Sequence, residues 1–313
     1  IGESPAGTPF EGLLKPGEAV RIFTGGGVPD GADHVVIQED TSRDENAGVI
    51  TNAQIGPGNI RRAGLDFAAG DTLIEAGTRL EPAHVAVAAA ANHAQLTVHR
   101  QPRVALIAHG NELKPPGSTL GAGEIISSSP VGLAALIRSW GGAATELGIA
   151  GDAVEAIQSM IRAARDADII VPVGGASVGA HDHMREAFDG AGLTSVFAKV
   201  AVKPGKPTWF GRLGEQRVLG VPGNPASAWV CAHLFLRALL GLDEDARTTG
   251  SLSEPLGANG AREAFLRGRA EINGSDGIVV MPLPRQDSSL MRPFLRANVL
   301  IRRPVNAPGL NAG

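Results

Sequence analysis

Ile169-Ile170-Val171-Pro172-Val173 runs directly into Gly174-Gly175-Ala176-Ser177-Val178-Gly179. Five apolar residues without polar alternation read as a strand buried on both faces, and the glycines as the loop that leaves it. Upstream, Val104–Ala108 is a second continuous apolar run. Between the two, Ser129-Pro130 opens a helix that stops at Gly141-Gly142, Thr145–Ile149 is a strand, and Asp152-Ala153-Val154-Glu155 begins a further helix. That helix carries Val154, Ile157, Ile161 and Ala164 on one face. Downstream, strands are expected at Ser195–Val202, Thr208–Phe210 and Arg217–Val221, and Asn224-Pro225 caps an apolar helix ending near Leu240. Strands alternating with helices of this length predict an α/β domain built on a parallel sheet, over residues 101–243.

The flanks differ. Residues 1–58 are rich in Gly and Pro, with strand-like runs at Ala19–Phe23 and His34–Glu39, and form an incomplete small β domain. Residues 59–100 form a linking piece, with a helix over 81–92 and a strand at Leu96–His99. Residues 244–313 show short strands at Phe265–Ile272, Ile278–Met281 and Val299–Arg302, and form a C-terminal β domain. The predicted class is therefore α/β and multidomain, a central parallel α/β domain flanked by small β-rich ones. With 313 residues and 43% hydrophobic content, the chain suits several globular domains. No apolar stretch is long enough for a membrane span, and no export signal is visible, so a cytoplasmic protein is expected. The single Cys231 excludes disulfides and fits a reducing compartment, and a net charge of −4 argues against broad nucleic-acid binding.

Of 28 basic residues only five are lysine, and Lys199, Lys203 and Lys206 fall within one short segment. In open α/β sheets, ligands bind beyond the carboxyl ends of the strands, and here those loops hold the polar residues. They are His109-Gly110-Asn111-Glu112, Gly151-Asp152, the glycine loop with His181-Asp182-His183, Lys203-Pro204-Gly205-Lys206-Pro207, and Pro222-Gly223-Asn224-Pro225. Carboxylates for a hard cation, ammonium groups for oxyanions and backbone N–H groups at helix starts suit a phosphorylated anionic ligand handled with Mg²⁺. Each piece has a plainer reading. Asp152 can be a helix cap, the glycine loop a tight turn, Asn111-Glu112 a polar turn, and the lysines a solvated surface. His181-Asp182-His183 suggests zinc, but two histidines two residues apart in a loop without a third partner rarely form a site.

Taken together, the motifs resemble the MoeA/gephyrin-E family over nearly the whole chain. The matching stretches are Arg21–Gly25, Val28–Asp33, Val35–Glu39, Asn59–Asp66, Gly110–Leu113, Gly174–Gly179 with Asp182, Lys203–Pro207 and Pro222–Pro225 with Ser227-Ala228. Arg267-Gly268, Gln286, Ser288 and Ala297-Asn298 fit as well. The resemblance implies a molybdopterin molybdenumtransferase. Such an enzyme takes adenylylated molybdopterin and molybdate with Mg²⁺ and yields molybdenum cofactor and AMP. It implies that Asp66, Glu112, Asp152, Asp182, Lys203 and Lys206 serve catalysis, with Glu112, Asp152 and Asp182 holding Mg²⁺. Gly174, Gly175, Ser177, Gly179, Lys199, Pro222, Asn224 and Pro225 would hold the ligand. A homodimer is implied, with Arg267 and Ser288 reaching the cleft of the other subunit, and the molybdopterin adenylyltransferase as a partner. The sequence departs from the pattern at three places. Asn111 stands where the family has Asp, His109 where it has Ser or Thr, and Ser127-Ser128-Ser129 where it has Asp-Thr-Asn. The family's N-terminal Ser-Met-Asp-Gly motif is absent, so the chain is expected to be shortened there. The alternative is a divergent paralogue that binds molybdopterin or the cofactor without catalysing insertion; an assembly module and a metal hydrolase are remoter rivals.

Overall fold

The computed structural model describes residues 1–44, 48–51, 59–175, 183–242, 248–274 and 277–313. They form two compact units, 1–98 and 99–313. In the first unit β1 (Gly2–Ser4) pairs in parallel with β2 (Val20–Ile22), and β3 (Thr41–Asp44) forms a hairpin with β4 (Gly48–Thr51). Ser4 is fully buried because its hydroxyl donates to the Gly27 carbonyl at 2.7 Å and accepts from the Phe10 amide at 3.1 Å. Helix α1 (Pro82–Ala90) starts on Pro82, as expected. Two expectations fail here. His34–Glu39 is not a strand but leads into a 3₁₀ turn at Gln38–Asp40, and Leu96–His99 is irregular. Both are β-branched or apolar runs that join no strand ladder among the described residues.

The second unit begins with β5 (Arg103–His109), followed by the short pair β6 (Leu113–Lys114) and β7 (Ile125–Ile126). Then come α2 (Ser129–Ser139), β8 (Ala143–Ala150), α3 (Val154–Ala163), β9 (Ile169–Val173) and α4 (His183–Gly190). After β10 (Thr194–Phe197), β11 (Val202–Lys203), β12 (Trp209–Leu213) and β13 (Gln216–Gly220), the chain enters α5 (Pro225–Cys231). A π turn (Ala232–Leu236) carries it on to α6 (Arg237–Leu239). A six-stranded sheet has the order β10-β12-β13-β9-β5-β8. The four strands from β13 to β8 are parallel, whereas β10, β12 and β13 are joined antiparallel. The all-parallel expectation is corrected at that edge: only Gly214 and Glu215 separate β12 from β13, room for a hairpin but not for a crossover helix. The Ser195–Val202 run likewise divides into β10 and β11.

Why β5 and β9 lack alternation is now plain, since both faces are covered. Val104, Leu106, Val171 and Leu219 pack under α2, α5 and the π turn, through Leu133, Ile137, Cys231 and Leu236. On the other face Ala105, Ile107, Ile170 and Val218 meet Ile157 and Ile161 of α3 and Met184 and Phe188 of α4. Phe188 packs edge-on to Trp209, ring centroids 5.6 Å apart. Gly220 lies under that indole, where a Cβ would stand 2.0 Å from a ring carbon.

The rest of the unit is a second sheet of β14 (Ser251–Leu252), β15 (Glu263–Ile272), β16 (Ile278–Pro282) and β17 (Val299–Arg303), with β11 at its edge. Strand β11 pairs in parallel with β15, and Val202, Val230 and Phe265 bury a small core behind that joint. The two sheets are thus linked through the backbone that carries the lysine segment.

At the start of the α/β core, Arg100 donates two hydrogen bonds to Asp168, at 2.5 and 2.6 Å, and the Arg103 amide donates a third at 2.7 Å. The Arg100 guanidinium holds the Asp168 carboxyl down from 3.8 to about 2, against the opposing effect of burial. A depressed carboxylate stabilises the fold above its unfolded value, and this contribution is lost as pH falls from about 4 toward 2. Asp168→Asn is expected to cost about 1 kcal/mol at neutral pH, given solvent screening, and to flatten the acid limb of stability measured by urea melts across that window.

Candidate active site

Strands β13, β9 and β5 all end at one edge, and a cleft of about 770 Å³ opens there. Its floor is Ala108-His109, Val173-Gly174-Gly175 and Pro222-Gly223. One wall is the β6–β7 pair with Ser127-Ser128-Ser129-Pro130 at the start of α2. The other carries Lys199, Lys206 and Pro207, then Asn224-Pro225 and Ser289. The volume falls within the ~300–1,000 Å³ range of small-molecule sites.

The floor depends on glycine. Gly174 (φ +92°) lies under the His109 carbonyl, which a Cβ would meet at 2.9 Å, and Gly175 (φ +62°) lies between the Met184 Cβ and His109 Nδ1. Both are left-handed positions that side chains rarely adopt. The Gly174 amide donates to the Val221 carbonyl at 3.1 Å, tying the ends of β9 and β13.

Electrostatically the walls differ. Lys199 and Lys206 are exposed ammonium groups, and their loops are joined where the Val200 amide donates to the Lys206 carbonyl at 3.0 Å. The turn between Lys203 and Lys206 is anchored from beneath. Thr208 Oγ1 donates to the Gly205 carbonyl at 2.7 Å and lies 3.0 Å from Cys231 Sγ. Burial pushes the Cys231 thiol up to about 11, so it is a neutral packing group. The N-terminal end of α2, the positive end of its dipole, faces the same space. Glu112 lies across the cleft with its carboxylate folded over Gly110, where a Cβ would stand 2.5 Å from Oε2.

Of the residues singled out in the sequence, Glu112, Gly174, Gly175, Lys199, Lys206, Pro222, Asn224 and Pro225 line this cleft. Ser177, Gly179 and Asp182 lie outside the described residues. Asp66 is on an exposed bend of the first unit. Lys203 is exposed but does not line the cleft: it belongs to β11, held in register with Ala264. The basic pair at the cleft is Lys199 with Lys206. Asp152 is not a helix cap, since Ala153 holds that position and no side chain caps α3. Its carboxylate instead accepts from Asn111 Nδ2 at 2.6 Å and lies 3.2 Å from His109 Nε2.

Arg267 is also corrected. Its side chain is buried, 1% exposed, and donates to the carbonyls of Arg285 and Asp287 at 3.2 and 3.1 Å. Gln286 pairs with the Arg267 backbone in both directions at 2.9 Å. These bonds hold the 283–289 segment against this chain's own cleft. There the Ser288 hydroxyl accepts from Asn224 Nδ2 at 3.0 Å and the Ser288 carbonyl from the Ala226 amide at 3.0 Å. Ser288 thus contacts Asn224 of the cleft lining within the same chain. The sequence reading missed Ser289, Pro130 and the cleft position of Ser128; the Ser127–Ser129 departure was the available signal.

Residues 2–92 match the MoeA N-terminal region (domain I and II), 105–241 the probable molybdopterin binding domain, and 249–313 the MoeA C-terminal region (domain IV). The chain is 38% identical to molybdopterin molybdenumtransferase 2 of Mycobacterium tuberculosis, over 84% of this chain and 69% of that one. The chain belongs to the MoeA family. It is 32% identical to the molybdopterin molybdenumtransferase of Haemophilus influenzae, over 96% of this chain and 76% of that protein. The molybdopterin biosynthesis MoeA protein from Pyrococcus horikosii superposes with a TM-score of 0.79 at 28% identity, covering 100% of this chain and 78% of that one. In MoeA terms, the cleft lies within the matched molybdopterin binding domain, with Ser289 of the C-terminal region on its rim. Among the described residues, no helix is long and apolar enough to cross a membrane.

Proposed function

We propose that this chain is a molybdopterin molybdenumtransferase, taking adenylylated molybdopterin and molybdate and yielding molybdenum cofactor and AMP. The observation that carries this reading is the convergence of Lys199, Lys206 and the start of α2 on one cleft at the strand ends. The two ammonium groups are compact positive charges suited to the oxygens of phosphate and molybdate. Backbone N–H groups at the α2 start add donors that need no reorganisation. The glycine floor lets the ligand approach the backbone of β9 closely.

A Mg²⁺ ion would be held here with few protein ligands. Among the described residues no group of three or more His, Cys, Asp or Glu could hold a metal ion. Mg²⁺ keeps several waters and is commonly held by one or two carboxylates together with substrate phosphates. Glu112 would supply such a carboxylate, with Asp182, outside the described residues, as a second. Such an ion would supply Lewis-acid stabilisation of negative charge on the substrate's phosphate oxygens. Glu112 would orient it, while Lys199 and Lys206 hold the oxyanions. The reading extends to a homodimer and to the molybdopterin adenylyltransferase as the source of substrate. A binding paralogue without insertion activity is the second reading, favoured by the Asn111 amide in the cleft loop.

The test is AMP release from adenylylated molybdopterin, followed chromatographically with molybdate and Mg²⁺ added or withheld. Release that requires both is expected. Tight binding of the substrate without AMP in any condition would establish the binding paralogue instead.

A further inference from the structure

Asn111, Asp152 and His109 form a closed set at the end of β5. The Asn111 side chain grips Asp152 twice: its Nδ2 donates to Oδ2 at 2.6 Å, and its Oδ1 accepts from the Asp152 amide at 3.3 Å. The other carboxylate oxygen lies 3.2 Å from His109 Nε2. The His109 ring is only 8% exposed, and Gly175 gives it room, since a Cβ there would stand 2.9 Å from Nδ1. This ring has little freedom to turn away. One Asp152 oxygen is thus taken by the Asn111 amide and the other faces the His109 ring, both on a loop whose next residue is Glu112.

We propose that Asp152 is a positioning residue in this chain, locked by Asn111 and His109, and is not a metal ligand. Its work is to tie the 109–112 loop to the start of α3, so that Glu112 is held over the cleft. The Asn111 amide stands where a cation would otherwise have to sit: a carboxylate at position 111 would face Asp152 at 2.6 Å, tolerable only with a proton or a metal between. The divalent cation therefore enters with the phosphorylated ligand instead of waiting in a preformed cage. This inference rests on the reading of the cleft as a cation-assisted phosphate site, and refines it.

The test uses Mn²⁺ alone, titrated into the full chain and followed by electron paramagnetic resonance of the free ion. Asp152→Asn, nearly isosteric and able to keep the bond from Asn111 Nδ2 through its one amide oxygen, is expected to leave Mn²⁺ affinity within about twofold, whereas loss of a charged ligand oxygen lowers it about tenfold or more. Asn111→Asp with His109→Ser is expected to raise affinity by about tenfold or more, and adding Asp152→Asn to that pair removes the gain. Circular dichroism and thermal melts with and without Mn²⁺ verify that each variant folds; the Asn111→Asp pair should melt lower alone and recover with the ion. A tenfold loss in Asp152→Asn alone, or no gain in the folded Asn111→Asp pair, overturns the lock. Glu112→Gln separates the two levels. If it removes the gained affinity, Glu112 is a ligand as the cleft reading requires; if it does not, that assignment fails even where the lock stands.

Discussion

Replacing Lys206 by alanine is expected to lower molybdate-dependent AMP release at least about a hundredfold, the scale for removing a fixed charge or donor from developing oxyanion charge. The expectation follows from position. Lys206 lines the cleft beside Lys199, its carbonyl is bonded to Val200, and the turn before it is anchored by Thr208. The ammonium therefore leaves a fixed backbone, with only its side chain free to follow the oxyanion. Lys206→Arg keeps the charge but spreads it over a planar fork, and should recover only part of the rate. Lys203→Ala is the control. Its side chain does not line the cleft, so a loss of less than about threefold is expected from long-range charge alone. Equal losses at 203 and 206 would show that the segment acts as a diffuse basic patch and not through one placed lysine. Steady-state kinetics on the three variants decides this.

Gly205→Ala is expected to destabilise the protein by about 3 kcal/mol, combining overpacking with backbone strain. Gly205 has φ +121°, and a Cβ would stand 2.4 Å from Cys231 Sγ and 3.2 Å from a Val202 methyl. Neither neighbour can move freely, since Cys231 is fully buried in the core that packs α5 on the sheet. Adding Cys231→Ala should return part of the loss by removing the sulfur, but not the strain, which is a property of the backbone. Urea melts of the single and double variants measure both. Wild-type stability in Gly205→Ala would mean that the Lys203–Lys206 turn is not packed as described.

The strands at the centre were legible because double burial leaves an unambiguous trace. Val104–Ala108 and Ile169–Val173 have no room for a polar residue on either face, and α3 shows its buried stripe for the complementary reason. His34–Glu39 and Leu96–His99 carry similar residues, but a strand exists only where a partner completes its hydrogen bonds, and no local pattern reports that partner. The antiparallel edge at β12–β13 was legible in principle from the short Gly214-Glu215 connection, which excludes a crossover. At the site, chemistry was legible by residue type and loop, and Glu112, Lys206 and the glycine floor lie where the strand-end rule puts them.

Direction was not legible. Lys203 and Lys206 look equivalent in Lys-Pro-Gly-Lys-Pro, yet Lys206 lines the cleft while Lys203 stands in β11 beside β15. Arg267 reads as an anion-binding arginine until its guanidinium is found bonded to carbonyls. Asp152 is a carboxylate among carboxylates on paper, and only its distances to Asn111 and His109 show that it is already engaged. These are tertiary facts, set by contacts between segments far apart in the chain.

Molybdate and the phosphorylated pterin are proposed to meet at the Lys199–Lys206 wall of this cleft. Diffraction from crystals soaked in molybdate, recorded at the molybdenum absorption edge, tests it most directly. An anomalous peak within hydrogen-bonding reach of the Lys206 ammonium is expected, absent from Lys206→Ala crystals. A peak confined to another surface, or one that persists unchanged in Lys206→Ala, would contradict it.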